Sequence, residues 1–447
     1  MRLLGMVCSA FLVVALAAGP PTVNLSSPTI PADVAVPADA AGNPTAMLPY
    51  FDDYSWQAFL AMVWPAASGQ RGTPDLNQTA ASGGWPRVFE TYKATWEVFH
   101  ADATGKLDFS TPPADWNQYD QGKFNACQVE AHFGDLILAS FSKYSDMGQA
   151  SFVDQGQDGP LIAQNGTYVH YETGYSRLEF NQIQAQKLYL PATPDATFPF
   201  GSVSVKSAWM EMKGIAHPER YYVRDAWVLD PDPDPKARCH KKQVGLIGLH
   251  IVQKTPTRQQ WIWSSFEQVD NVPEIPPDPL GPLTAFALNG PGSRPMGTTN
   301  PYAFQAGEPI HLAWPPPIPY NVERLKPIHR STQTTNLAYR KALRAAGSVW
   351  QYYQLVMTQF PIPANQAGIA AAAPSNTFPG EGRDSTAFAN TTMETFNQTS
   401  VFFSCMACHN SGCTDFVCSL KARAQGRIHP DLDQLKPVAL PPAARKR

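Results

Sequence analysis

Proline constrains this chain more than any other residue type. The 447 residues include 43 prolines, about twice the usual share, and each one removes a backbone donor and restricts φ. With 30 glycines added, a loop-rich body with many short elements is expected. The apolar mass that such a body needs comes from 11 Trp, 16 Tyr and 23 Phe.

The chain opens with Arg2 and then runs without a charge from Leu3 to Ala18, offering Ala15-Leu16-Ala17 as a small-residue cleavage context. Residues 1–18 therefore read as a signal peptide, and a periplasmic or secreted protein is expected. The run is shorter than the roughly 20 residues that cross a bilayer, so no integral membrane segment is expected in the mature chain. Residues 19–48, rich in Pro, Ala, Thr and Val, read as an extended linker.

A β-rich body is expected over 49–330. Trp56, Phe59, Leu60 and Val63 have helical spacing, which predicts a helix over Phe51–Trp64. Val, Ile, Trp and Tyr concentrate in Ser202–Met212, Tyr221–Leu229, Gln243–Lys254 and Gln260–Val269, which predicts strands in a largely antiparallel sheet. Between two of these, Asp230, Asp232 and Asp234 alternate with prolines, which reads as a solvated loop because the spacing is not that of an EF-hand. Residues 331–447 read as a helical region and a C-terminal module, with one long helix over Ser331–Gln359 stopped by Pro361. The fold class expected is α+β: a large antiparallel-sheet-rich body with peripheral helices and long Pro-rich loops, plus a small helical module at the C-terminus.

Charge adds little. With 34 basic and 37 acidic side chains the net charge is −3, which gives no reason to expect a nucleic acid or an anionic membrane as partner. Cysteine adds more. Apart from Cys8 in the signal, the cysteines are Cys127, Cys239, Cys405, Cys408, Cys413 and Cys418. Cys405-Met406-Ala407-Cys408-His409 places two thiols to add to the vinyl groups on one porphyrin edge and a nitrogen base to fall under the iron. A random shuffle of this composition would contain about 0.002 such matches. One covalent haem c is therefore expected, with Cys405 and Cys408 as thioether residues and His409 as proximal ligand. The rival is a zinc or iron–sulfur site on Cys405, Cys408, Cys413 and Cys418, in which His409 would be superfluous. If haem takes two cysteines, two disulfides can form: Cys413 with Cys418, and Cys127 with Cys239.

Thr391 and Glu394 have capping-box spacing, which predicts a helix running from Thr391 toward Phe403 and the motif. No methionine follows His409 in the remaining 38 residues, so the far side of the haem is not built as in a small cytochrome c. Met393 lies about 18 Å before Cys405 along a straight helix, and Met406 sits inside the attachment loop. Three arrangements stay open: His429 as the sixth ligand, a histidine of the body (His250, His311 or His329), or an open position facing a pocket. His250 alternates with Leu246, Gly248 and Val252 on a predicted strand, where a buried hydrogen-bonded histidine is the common case.

Trp85–Phe99, Gly245–Asn271 and Asn390-Thr-Thr-Met-Glu-Thr-Phe through His409 make the chain resemble exported bacterial cytochrome c family proteins with a large aromatic-rich body and a single C-terminal haem motif. That resemblance implies haem attachment at Cys405, Cys408 and His409 and names no reaction. Hydrolase elbows, HExxH helices, phosphate-binding loops and dinucleotide fingerprints are lacking. Glu267 and Asp270 form a candidate carboxylate pair, read here as surface or turn residues. Asn165 and Asn397 match the glycosylation pattern incidentally. The function expected is electron transfer with a redox partner protein or a small-molecule donor or acceptor, with a haem oxidoreductase as the alternative.

Overall fold

In this computed structural model the described residues are 23–142, 159–291, 296, 300, 302, 312–361, 389–398, 405–410 and 413–422, apart from 42, 85, 103–104, 192–195, 282 and 284. The expected signal peptide, His311 and His429 lie outside this set.

The protein is α+β, and among the described residues its sheet has eight strands. These are β1 (Lys93–Ala94), β2 (Ile137–Leu138), β3 (His170–Tyr175), β4 (Val203–Glu211), β5 (Val223–Leu229), β6 (Cys239–Gln253), β7 (Ile262–Gln268) and β8 (Tyr353–Gln359). Every pairing is antiparallel except β2 with β5. The 15-residue β6 is the axis. One edge pairs with β4, while the other is shared between β5, which pairs with Cys239–Gly245, and β7, which pairs with Gly248–Gln253. Its composition explains the division: the first half carries exposed charges beside β5, and Val244–Ile251 is buried on both faces.

One face is covered by α1 (Pro44–Met62) and α4 (Arg330–Ala345); between them in sequence come α2 (Thr95–Val98) and α3 (Arg177–Ala185). Asn43 caps α1 through its side chain, accepting from the Ala46 amide. Trp56 stacks on Tyr339 at 4.9 Å and meets Phe266 edge-on at 5.1 Å, and Phe59 stacks on Phe266 at 4.4 Å. These rings form the centre of the core. Before α1, Ile30, Val34 and Val36 pack against Met47, Leu48 and Phe51, so residues 23–41 lie as a strap on the body.

Two helix expectations are corrected. The helix over 331–359 ends at Ala345, and Tyr353–Gln359 is strand β8, fully buried, on the edge of β7. Both faces of this strand are covered, so its apolar residues show no alternation that would separate strand from helix. Residues 391–398 form bends and turns instead of a helix. The Asn390 carboxamide accepts from the Thr392 and Met393 amides, and the Glu267 carboxylate takes the Thr391 amide and hydroxyl, so tertiary partners replace the helix cap.

Cys127 and Cys239 are joined by a disulfide across a separation of 112 residues. Changing both to serine is expected to cost about 2–5 kcal/mol, read as a lower midpoint in urea unfolding. An unchanged midpoint would mean that the loop-rich segment before β2 is held without it.

Candidate functional site

The sheet face opposite α1 carries the site. Cross-strand neighbours share a face, so Ser204, Val252, Trp263 and Gln359 form one row across β4, β6, β7 and β8, and Lys206, His250, Ser265 and Met357 form the next. The rows are about 7 Å apart.

The motif docks on the first row. Helix α5 (Cys405–Asn410) brings Cys405 and His409 to i and i+4 on one side of a short helix. The Gln359 side chain accepts from the Cys405 amide at 2.9 Å. Cys405 is buried, and the His409 ring lies 4.6 Å from the Trp263 ring. The Cys408 side chain is outside the described set.

After α5 the chain turns back at Thr414–Val417, whose end residues exchange backbone hydrogen bonds. Both central residues have positive φ, 44° at Asp415 and 68° at Phe416, the pattern of a type I′ turn. Asp tolerates this conformation, but a phenylalanine there is strained by about 1–3 kcal/mol and must be held. The restraints are visible. Cys413 and Cys418 form a disulfide across the turn, Lys254 pairs with Asp415 at 2.5 Å, and the Phe198 amide donates to Asp415 at 2.7 Å. Burial pushes the Asp415 carboxyl upward, and the Lys254 contact opposes it. Helix α6 (Ser419–Ala422) follows, and the Tyr175 hydroxyl donates to the Ser419 hydroxyl at 2.7 Å.

The outcome of the strained turn is a carbonyl aimed at His409. The Phe416 oxygen lies 2.8 Å from His409 Nδ1, and Cys418 Sγ lies 3.4 Å from the same nitrogen. A ring whose Nδ1–H donates to a carbonyl presents its lone pair at Nε2, the usual state of a metal-ligating histidine. The ligand atoms of His409, Cys413 and Cys418 also lie within 4.8 Å of one another, a group that could hold a metal ion only with the Cys413–Cys418 disulfide open, since the thiolate is the ligand.

His250 sits in the second row, buried. Asn390 Nδ2 lies 3.1 Å and Glu394 Oε2 3.3 Å from its Nε2. It is a core histidine with polar partners, one row from the Trp263 that touches His409. His329 accepts from the Ser331 amide at the start of α4, a capping role. Glu267 and Asp270 are buried, not surface residues: Glu267 pairs with Arg324 at 2.8 Å and Asp270 with Arg220 at 2.6 Å. The sequence reading missed Trp263, Gln359, Lys254 and Phe416 as neighbours of the motif. Only the chain fold brings them there.

Glu179 of α3 is fully buried close to this face. Its Oε1 accepts from the Ser204 hydroxyl at 2.6 Å, and Oε2 has no hydrogen-bond partner among the described residues. Burial first, with the nearby Asp415 adding, raises its carboxyl from 4.5 to about 8. The folded state binds this proton more tightly than the unfolded state does. The contribution to stability is therefore complete below about pH 4.5 and falls as pH rises toward about 8. Glu179→Gln is expected to flatten that decline and to be more stable than the parent at pH 8, as measured by urea unfolding at a series of pH values. Parallel profiles for the two proteins would refute a neutral Glu179.

Comparison with family models, characterised proteins and solved structures returns no match.

Proposed function

We propose that this chain is a monohaem c-type cytochrome of the cytochrome c family, exported to the periplasm or beyond, that transfers electrons through one covalent haem. The observation that carries the reading is the His409 environment. A Cys-x-x-Cys-His sequence supplies the thiols, and the Phe416 carbonyl on Nδ1–H sets the tautomer in which Nε2 is the nitrogen that would ligate iron. The donor set fits: Cys405 and His409 share one side of α5, and Gln359 anchors the backbone of Cys405.

A haem held there supplies a one-electron iron couple. The protein's own residues do the rest. Cys405 and Cys408 would hold the porphyrin edge, Trp263 packs against the His409 ring, and Phe416 fixes the tautomer. The partner is a redox protein or a small electron donor or acceptor. Two disulfides and the uncharged Leu3–Ala18 run support export, and no helix among the described residues is long and apolar enough to cross a membrane.

One observation favours a second reading, a haem oxidoreductase with an open iron position. His250, with Glu394 beside it, lies on the same sheet face one row from Trp263. Ferric and ferrous spectra with added cyanide and carbon monoxide separate the two. A six-coordinate low-spin haem that ignores both ligands supports electron transfer; a high-spin haem that binds them supports the oxidoreductase. A protein that holds zinc and no haem overturns both.

A further inference from the structure

The disulfide between Cys413 and Cys418 touches the candidate iron ligand itself. Its Cys418 sulfur is 3.4 Å from His409 Nδ1, and it spans the four-residue turn whose Phe416 carbonyl is 2.8 Å from the same atom. A phenylalanine at φ 68° returns to ordinary backbone unless the turn is closed around it. On the far side, Phe416 packs near Trp263 at 6.3 Å, the ring that also meets His409. The turn, the tryptophan and the imidazole thus form one packed unit, and the covalent bond closes it.

We propose that the Cys413–Cys418 disulfide is a redox-sensitive positioning element for His409: closed, it holds the Phe416 carbonyl on Nδ1–H; opened, it lets that hydrogen bond go. Opening takes two electrons and two protons from a dithiol reductant. The S–S bond becomes two thiols, and the reductant closes to its own disulfide. Without the carbonyl, His409 is a poorer electron donor to iron, so the ferrous state is favoured and the midpoint potential moves positive. The proposal rests on the haem reading for its effect on potential, but its structural part concerns His409 alone.

The test uses the full chain carrying covalent haem, first confirmed in the parent protein. Midpoint potentials are measured for the parent, for the parent opened with dithiothreitol and alkylated, and for Cys413→Ser/Cys418→Ser. Peptide mapping verifies which thiols were alkylated. A positive shift of the same size is expected in the last two, with dithiothreitol leaving the double variant unmoved. The opened parent needs no variant to fold. The same potential in all three, with haem attached, overturns the proposal. In the haem-free chain, nitrogen-detected NMR of His409 is expected to show Nδ1–H exchange about five- to tenfold faster after opening. Equal exchange rates in the open and closed haem-free chain also overturn it. Because this second readout needs no haem, a chain that never takes up haem removes the cytochrome reading and leaves the clamp to be judged by itself.

Discussion

Arg324→Met is expected to cost about 3–5 kcal/mol, because it leaves buried carboxylates without their cation. The Arg324 side chain is only 4% exposed and reaches Glu267 at 2.8 Å, Glu274 at 2.7 Å and the carbonyl of Ala389. Burial works against its charge, but the two carboxylates overcome this and raise its pKa. Glu267 in turn holds the Thr391 amide and hydroxyl. Loss of the guanidinium therefore loosens the whole polar segment that leads to the motif. Urea unfolding gives the magnitude, and hydrogen exchange at residues 389–398 gives the location. A loss below 1 kcal/mol, with exchange unchanged, would show that the ion pairs do not hold the segment.

Cys405→Ser with Cys408→Ser is expected to abolish covalent attachment completely, as seen by haem staining of the denatured chain. The sheet is expected to persist, because Cys405 adds only one small side chain to a core dominated by rings such as Trp56, Phe59 and Phe266, and serine is nearly its size. Far-ultraviolet circular dichroism checks that. Staining that survives in the double variant would place the attachment elsewhere.

What could be read from the sequence follows from where each signal resides. Strands β4 to β7 carry enough Val, Ile and Trp between Pro, Gly and Asp breaks to be located within a few residues. Helix α1 shows its apolar spacing in one stretch. The two disulfides follow as candidates once two of six cysteines are set aside for the motif. The misplaced segments are those decided by distant partners. Tyr353–Gln359 reads as helix until β7 is known to lie beside it. Thr391–Gln398 has a sound local helix signal that loses to Glu267, a residue 124 positions earlier than Thr391. Glu267 itself reads as a surface charge because its counter-ion, Arg324, is 57 residues away.

The site divides in the same way. The proposed haem chemistry rests on a motif of five residues. The tuning groups do not announce themselves: Trp263 is an ordinary strand tryptophan, Gln359 closes a strand, and Phe416 matters through its carbonyl, which every residue has. The positive φ at Phe416 is invisible in a sequence that places no glycine there.

Covalent haem on Cys405 and Cys408 is the property on which the proposed function depends. Proteolytic peptide mapping by mass spectrometry, on full-length protein produced with the haem-attachment machinery and then denatured, tests this directly. The predicted result is that the peptide spanning Cys405 to His409 carries the mass of one haem, while the peptides containing Cys127, Cys239, Cys413 and Cys418 carry none. An unmodified Cys405–His409 peptide from protein made under those conditions would contradict it.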